Sequence, residues 1–225
     1  DVDAHHQLVE HCTNRRIQFL STPFDFASID LLVSELNVPL LKISSGDITN
    51  APLLLKSACT NKPIILSTGM ATLGDIETAL GVLAYGYTCR SQKPSEAAFR
   101  AAFASNEGQQ ALYDKVTLLH CTTEYPAPFA AVNLKAMETL SASFGLRVGY
   151  SDHTEGIAVP VAAVALGATG VEKHFTLDSN LPGPDHRASL EPDELKEMIT
   201  AIRQVELAYG TGRKSPAECE LGNMV

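Results

Sequence analysis

A chain of 225 residues can bury a substantial core, and its length suits one domain or two small ones. Hydrophobic residues make up 45% and charged residues 19%, as in ordinary globular proteins, and no apolar run reaches the ~20 residues that span a bilayer. A formal charge of −9 argues against nucleic acid or an anionic membrane as the main partner, while local basic groups could still hold a small anion.

The polar opening, Asp1 to His6, lacks the pattern of a signal peptide. Five cysteines (Cys12, Cys59, Cys89, Cys121 and Cys219) are odd in number, scattered, and form no C-x-x-C pair. Reduced thiols in a cytoplasmic protein fit this better than a disulfide framework.

In chain order, residues 1–16 read as a helix. Ile17 to Thr22 (IQFLST) reads as a strand, with a helix across Ala27 to Leu36. A strand at Leu40 to Ser44 precedes a helix at Pro52 to Cys59, and Pro63 to Thr68 feeds a helix from Leu73 to Leu83. The next units pair Val116 to Cys121 with Leu134 to Phe144, and Arg147 to Ser151 with Gly156 to Leu166. Gly170 to Phe175 and a helix from Pro192 to Tyr209 complete six βα units. The polar, Ala-rich stretch from Gly86 to Asp114 interrupts this rhythm. It reads as an insertion with one extra helix on the N-terminal side of the strands, without a catalytic role.

Nearly continuous apolar strands such as PIILST and VTLLHC predict a parallel sheet buried on both faces. Repeated βα units allow a doubly wound sheet or a (β/α)8 TIM barrel. No G-x-G-x-x-G supports the first, and almost every strand ends in reactive residues (ST, SSGD, STGM, HCTTEY, SDH, KHF). Convergence of many strand ends on one site is the barrel pattern. Six units are two short of eight, so the expectation is an α/β barrel lacking its first two strands, with residues 1–210 carrying units three to eight.

Several strand-end residues suggest chemistry. His153 and His174 close successive strands, where two imidazoles could share a divalent metal or simply bond the backbone. His120 is a third candidate with an equally good structural role. Lys42, ending an apolar strand, must meet an anion: it is a Schiff-base nucleophile, a clamp for phosphate or carboxylate, or one half of a salt bridge. The hydroxyls of Thr22, Ser44, Ser45, Ser67, Thr68 and Ser151 follow strands. Each alone could be a helix cap, but four such strand ends around one mouth suggest a phosphate-bearing substrate beside a metal. The Pro- and Gly-rich loop LPGPDHRASLEPDEL carries Asp185 and His186, and its SLEPDEL half reads as a helix start capped by Ser189.

The stretches STPFD, KISSGDITN, KPIILSTGMAT, LLHCTTEYPAPF, VNLKAM, GYSDHT, ALGAT, EKHFTLD and GPDHRASLEPDEL, in this order, resemble the sialic acid synthase family, which includes legionaminic and pseudaminic acid synthases. The resemblance implies condensation of phosphoenolpyruvate with water and N-acetylmannosamine or a related N-acetylated hexosamine. The products would be phosphate and a nine-carbon 2-keto acid. It implies that His153 and His174 hold a manganese-type ion (Mg, Co or Fe being alternatives). Thr22, Lys42, Ser45, Ser67 and Ser151 would contact phosphoenolpyruvate, making Lys42 an anion clamp. Asp47, Tyr125 and Asp185 would hold the sugar, with Thr123 beside them, and Lys42 and Asp47 are the residues expected to carry catalysis. Family members also place a glutamate on the first barrel strand and continue into an antifreeze-like domain that covers a partner subunit's site. Residues 211–225 are then expected to begin a linker to such a domain. The protein is expected to be a homodimer at full length, and this chain alone inactive. A phosphoenolpyruvate synthase acting on a phosphorylated aldose fits less well, because Asp47, Glu124 and Asp185 stand where a second basic cluster would be needed. A Schiff-base aldolase and a binding remnant without turnover are the remaining alternatives.

Overall fold

The computed structural model describes residues 2–88 and 93–224. Five parallel strands form one sheet in chain order: β1 (Leu41–Ile43), β2 (Ile64–Ser67), β3 (Val116–Cys121), β4 (Arg147–Asp152) and β5 (Val171–Lys173). Leu41 pairs with Ile64, Ile64 with Val116, Leu118 with Val148 and Asp152 with Lys173. Parallel neighbours require crossovers, and each crossover carries helix: α3 (Ala51–Cys59), α4 (Leu73–Thr88), α7 (Ala136–Phe144) and α8 (Ala158–Ala165). Helix α1 (Val2–Asn14) and the short α2 (Phe26–Asp30) precede β1, and α9 (Pro192–Tyr209) follows β5. A strand order that never reverses has no switch point and belongs to a barrel wall.

Side-chain alternation divides the sheet into two faces. Leu41, Ile43, Ile64, Leu66, Val116, Leu118, Val148 and Tyr150 join the helices in one core. Lys42, Ser67, Cys121, Ser151 and Glu172 stand at the alternate positions, on the inner face. There the Lys42 Nζ lies 3.4 Å from Glu172 Oε2, joining the first strand of the sheet to the last. In a flat sheet those strands would stand about 19 Å apart, beyond the joint reach of the two side chains. The sheet therefore curls, forming an open portion of a (β/α) barrel.

The Gly86–Asp114 insertion holds two helices, α5 (Glu96–Ala104) and α6 (Asn106–Lys115), where one was expected. Ser105 separates them. Its backbone is extended (ψ 150°), and its hydroxyl accepts from Gly108 N and donates to Ala102 O, both at 2.9 Å. A Cβ on Gly108 would stand 1.9 Å from Ala102 O, so only glycine lets the second helix turn back this tightly. Tyr85 of α4 meets Phe99 of α5 edge-on at 5.2 Å, which explains why α4 is buried over nearly its whole C-terminal half.

Two sequence expectations need correction. Ile17 to Thr22 pairs with no strand among the described residues, and Ile17 is 64% exposed. An apolar segment becomes a strand only against an edge that takes up its backbone groups, and here Phe19 alone packs on the core. Helix α9 is capped by Glu191, not Ser189: the Glu191 carboxylate also accepts from Ser179 N and Oγ at 2.9 Å, and Glu194 returns the capping box. Ser189 instead donates to Asp185 O at 2.8 Å. Cys12, Cys59, Cys121 and Cys219 are free thiols, and Cys89 lies outside the described residues. No helix among the described residues is long and apolar enough to cross a membrane.

Candidate active site on the inner barrel face

Lys42 is 7% exposed at the centre of β1, with its ammonium on the inner face. Its partner Glu172 is tied in turn by Ser151, whose hydroxyl donates to Glu172 Oε1 at 2.6 Å. Lys42, Ser151 and Glu172 thus form one chain of contacts across the curled sheet. Ser67, 3% exposed on the same face, has a buried hydroxyl without a hydrogen-bond partner among the described residues. A buried hydroxyl in that condition is ready to bond a ligand group.

The next layer is built by two turns. After β1 the chain enters a single 3-10 turn, Ser45–Asp47, and after β2 it passes through Thr68, Gly69 and Met70. Gly69 N donates to Ser45 Oγ at 2.9 Å, and that hydroxyl lies 3.1 Å from Cys121 Sγ. A Cβ on Gly69 would meet Thr123 Oγ1 at 2.4 Å, Cys121 Sγ at 2.9 Å and Ser45 Oγ at 2.9 Å. Glycine is therefore required for the three strand ends to close on one another. Met70 follows with φ 64°, a left-handed conformation that costs a non-glycine residue roughly 1–2 kcal/mol.

The two histidines meet at the far end of the face. The ring centroids of His153 and His174 are 5.3 Å apart, and Tyr125 packs on both, at 4.3 Å and 5.5 Å. His153 Nδ1 lies 2.6 Å from Thr122 O. A carbonyl oxygen only accepts, so Nδ1 carries the proton and Nε2 keeps its lone pair. Burial pushes the His153 pKa down, opposed by the bond to Thr122 and aided by the neighbouring His174, and the neutral ring is the form that binds metal. The donor set fits a transition-metal ion. With a metal–nitrogen distance of about 2.1 Å and a ligand angle of about 110°, two imidazole centroids would sit roughly 5.2 Å apart. Among the described residues no group of three or more His, Cys, Asp or Glu side chains is placed to hold a metal, so this pair would leave coordination positions open.

The remaining sequence candidates fall into three groups. Tyr125 is half-buried, and its hydroxyl pKa is raised by burial first and then by Cys121, Asp185 and Glu172, so Asp185 lies within electrostatic reach of that hydroxyl. Thr123 borders Gly69 and joins the Ser45 layer. Asp47 is engaged locally, accepting from Ser44 Oγ at 3.0 Å and Asn50 Nδ2 at 3.2 Å, while Asn50 caps α3. Thr22 lies half-buried on the unpaired 17–24 segment, and no hydrogen bond joins it to the other members. His120 takes its structural role: Nε2 donates to Val132 O at 2.7 Å.

Three residues escaped sequence reasoning. Glu172 shares a strand face with His174 two positions on, so the period of two places it in the site. Asp152 and Lys173 form a buried ion pair at 2.8 Å on the opposite face, behind both histidines.

Known proteins share the sequence and the fold of this chain. The NeuB family matches residues 1–214. The N,N'-diacetyllegionaminic acid synthase of Campylobacter jejuni is 53% identical over 224 residues, covering 100% of this chain and 60% of that protein. The Legionella pneumophila protein of the same name is 45% identical, covering 97% of this chain and 55% of its own length. The chain therefore spans little more than half the length of the curated relatives it matches. Among solved structures, the N-acetylneuraminic acid synthetase of Leptospira borgpetersenii, in complex with citrate, superposes with a TM-score of 0.82 at 32% identity, covering 100% of this chain and 69% of that one. On the family match, the identities and the shared barrel wall, this chain belongs to the NeuB family of sialic acid synthases.

Proposed function

We propose that this chain forms the inner face of a synthase that condenses phosphoenolpyruvate with an N-acetylated amino sugar and water, releasing phosphate and a nine-carbon 2-keto acid. The observation that carries this reading is the juxtaposition of a buried ammonium, a ring of hydroxyls and two facing imidazoles on one barrel face.

Lys42 provides a fixed cation for the carboxylate or phosphate of phosphoenolpyruvate, with Ser45, Ser67 and Ser151 as short-range donors. Glu172, held by Ser151, balances Lys42 before the anion arrives. His153 and His174 would hold a divalent ion, manganese by preference, with Mg, Co or Fe as substitutes. When bound, such an ion supplies Lewis acidity toward the sugar aldehyde and orients water. Tyr125, Asp185 and Asp47 would hold the hydroxyls and acetamido groups of the acceptor, with Thr123 beside them. The ion pair of Lys42 with Glu172 at 3.4 Å favours an anion clamp over a Schiff base at this position.

The two legionaminic relatives favour a doubly acetamidated, 6-deoxy acceptor over N-acetylmannosamine. The test is phosphate release from phosphoenolpyruvate by the whole protein with Mn2+, offered each sugar in turn. Release should require an unphosphorylated N-acetylated aldose and run faster with the 2,4-diacetamido-6-deoxy one. Release that demands a phosphorylated aldose, or needs no aldose, would contradict the proposal.

A further inference from the structure

The buried ion pair behind the histidines has no place in the chemistry above, yet each of its members directly precedes one of them. Asp152 and Lys173 are cross-strand partners on β4 and β5, each immediately preceding one histidine. Asp152 is fully buried, and the Lys173 side chain is 3% exposed. Asp152 Oδ1 accepts from Thr154 N at 3.0 Å, Thr154 Oγ1 at 2.9 Å and Tyr150 Oη at 3.2 Å. The carboxylate thus closes a turn over His153. Lys173 Nζ donates to Asp152 Oδ2 at 2.8 Å and also to Thr154 O. One ammonium therefore grips the residue before His153 and the residue after it. Its own Cα is one peptide unit from His174.

We infer that Lys173 is a positioning residue that sets the separation of His153 and His174, with Asp152 as its buried counter-ion. The role follows from connectivity. Backbone hydrogen bonds between β4 and β5 pair only as far as Asp152 and Lys173, so both histidines lie one step beyond the ladder. Without an additional tie, the turn carrying His153 could move relative to β5. The Lys173 contacts to Asp152 and Thr154 close that gap, and the Thr122 carbonyl then holds the ring. Outer-shell groups of this kind commonly alter metal affinity by about 10–100-fold when removed.

The inference rests on the metal reading of the histidine pair for its consequence, though not for its geometry, and the experiment separates the two. Lys173→Met alone strands a buried carboxylate and risks unfolding. The decisive variant is the double substitution Lys173→Met with Asp152→Asn, which removes both charges yet keeps an acceptor for the Thr154 amide. In metal-free protein, the exchange rate of the His153 Nδ1–H is read by NMR, together with that of the Ala127 amide that donates to His153 O at 2.8 Å. Both are expected to exchange at least tenfold faster in the double variant while the melting temperature stays within a few degrees. Unchanged exchange in that folded variant would overturn the inference.

Mn2+ titration forms the second arm. Affinity should fall at least tenfold in the double variant, and further in His153→Ala and His174→Ala. Faster exchange combined with Mn2+ affinity indifferent to both histidines would support the positioning role and refute the metal reading. Unchanged exchange with Mn2+ affinity lost in the histidine variants would refute the positioning role and support the metal reading.

Discussion

Burying an ammonium is costly unless an anion lies close, and Lys42 has one at 3.4 Å, itself 43% exposed. The pair is loose and wet on one side, a geometry suited to a cation that must accept a second anion. Replacing Lys42 by Met removes a buried charge and leaves Glu172 able to hydrate. Thermal stability should therefore change by no more than a few degrees, while phosphoenolpyruvate affinity, read by calorimetry, should fall at least tenfold. Equal loss of both would mean that Lys42 is structural. Gly69 predicts the opposite balance. Its missing Cβ makes room for Ser45, Cys121 and Thr123, so Gly69→Ala should cost about 1–3 kcal/mol in chemical denaturation as those groups move apart. Phosphoenolpyruvate affinity should drop with it, because the Ser45 hydroxyl loses its backbone donor. Single residues of this kind were partly legible in the sequence. Lys42, Ser67, Ser151, His153 and His174 stand out as polar groups ending apolar strands. Glu172 was readable only through the period of two that sets it on the face of His174, and Lys173, on the other face, carried no mark of its distant partner Asp152.

At the scale of elements, local signals predicted what was local. Strand β3 and helix α9 fall on the residues that apolar runs and the Pro192 start mark out. The failures came where a distant partner decides. Ile17 to Thr22 has the composition of a strand but pairs with no described residue, and Glu191 displaced Ser189 as cap because it also serves the Ser179 loop. Helix α4 illustrates a cap that is both local and titratable. Thr72 N and Oγ1 donate to Asp75 Oδ2 at 2.9 and 2.6 Å, and Asp75 N returns a bond to Thr72 Oγ1. The Thr72 side chain first, and its backbone second, hold the Asp75 carboxyl below its ordinary value. A depressed carboxylate stabilises the fold above its unfolded pKa of about 3.9, and that contribution disappears as the pH falls through the folded value. The difference in melting temperature between wild type and Asp75→Asn should therefore be constant from pH 7 to 5 and shrink below about pH 4. A difference that persists to pH 3 would show that the carboxylate charge is irrelevant to the cap.

Across the whole molecule, the curl of the sheet turns separate strand ends into one site. Strand order and the Lys42–Glu172 contact establish that curl, and neither is visible in any single stretch of sequence. The barrel class itself was legible, because reactive residues recur after nearly every strand. The inner face then carries Lys42, Ser67 and Ser151, with Ser45 in the turn after β1, the proposed anion cradle, on the same side of the sheet as the imidazoles of His153 and His174. Adjacency of bound phosphoenolpyruvate and bound metal is the central claim, and paramagnetic relaxation reads it directly. Phosphorus NMR of phosphoenolpyruvate bound to the Mn2+-loaded protein should show strongly enhanced relaxation relative to the Mg2+-loaded protein. The enhancement should collapse in the His153→Ala variant, which corrects for Mn2+ bound by free ligand. Phosphoenolpyruvate that binds with equal phosphorus relaxation in the Mn2+ and Mg2+ proteins, or with an enhancement indifferent to His153, would contradict the account.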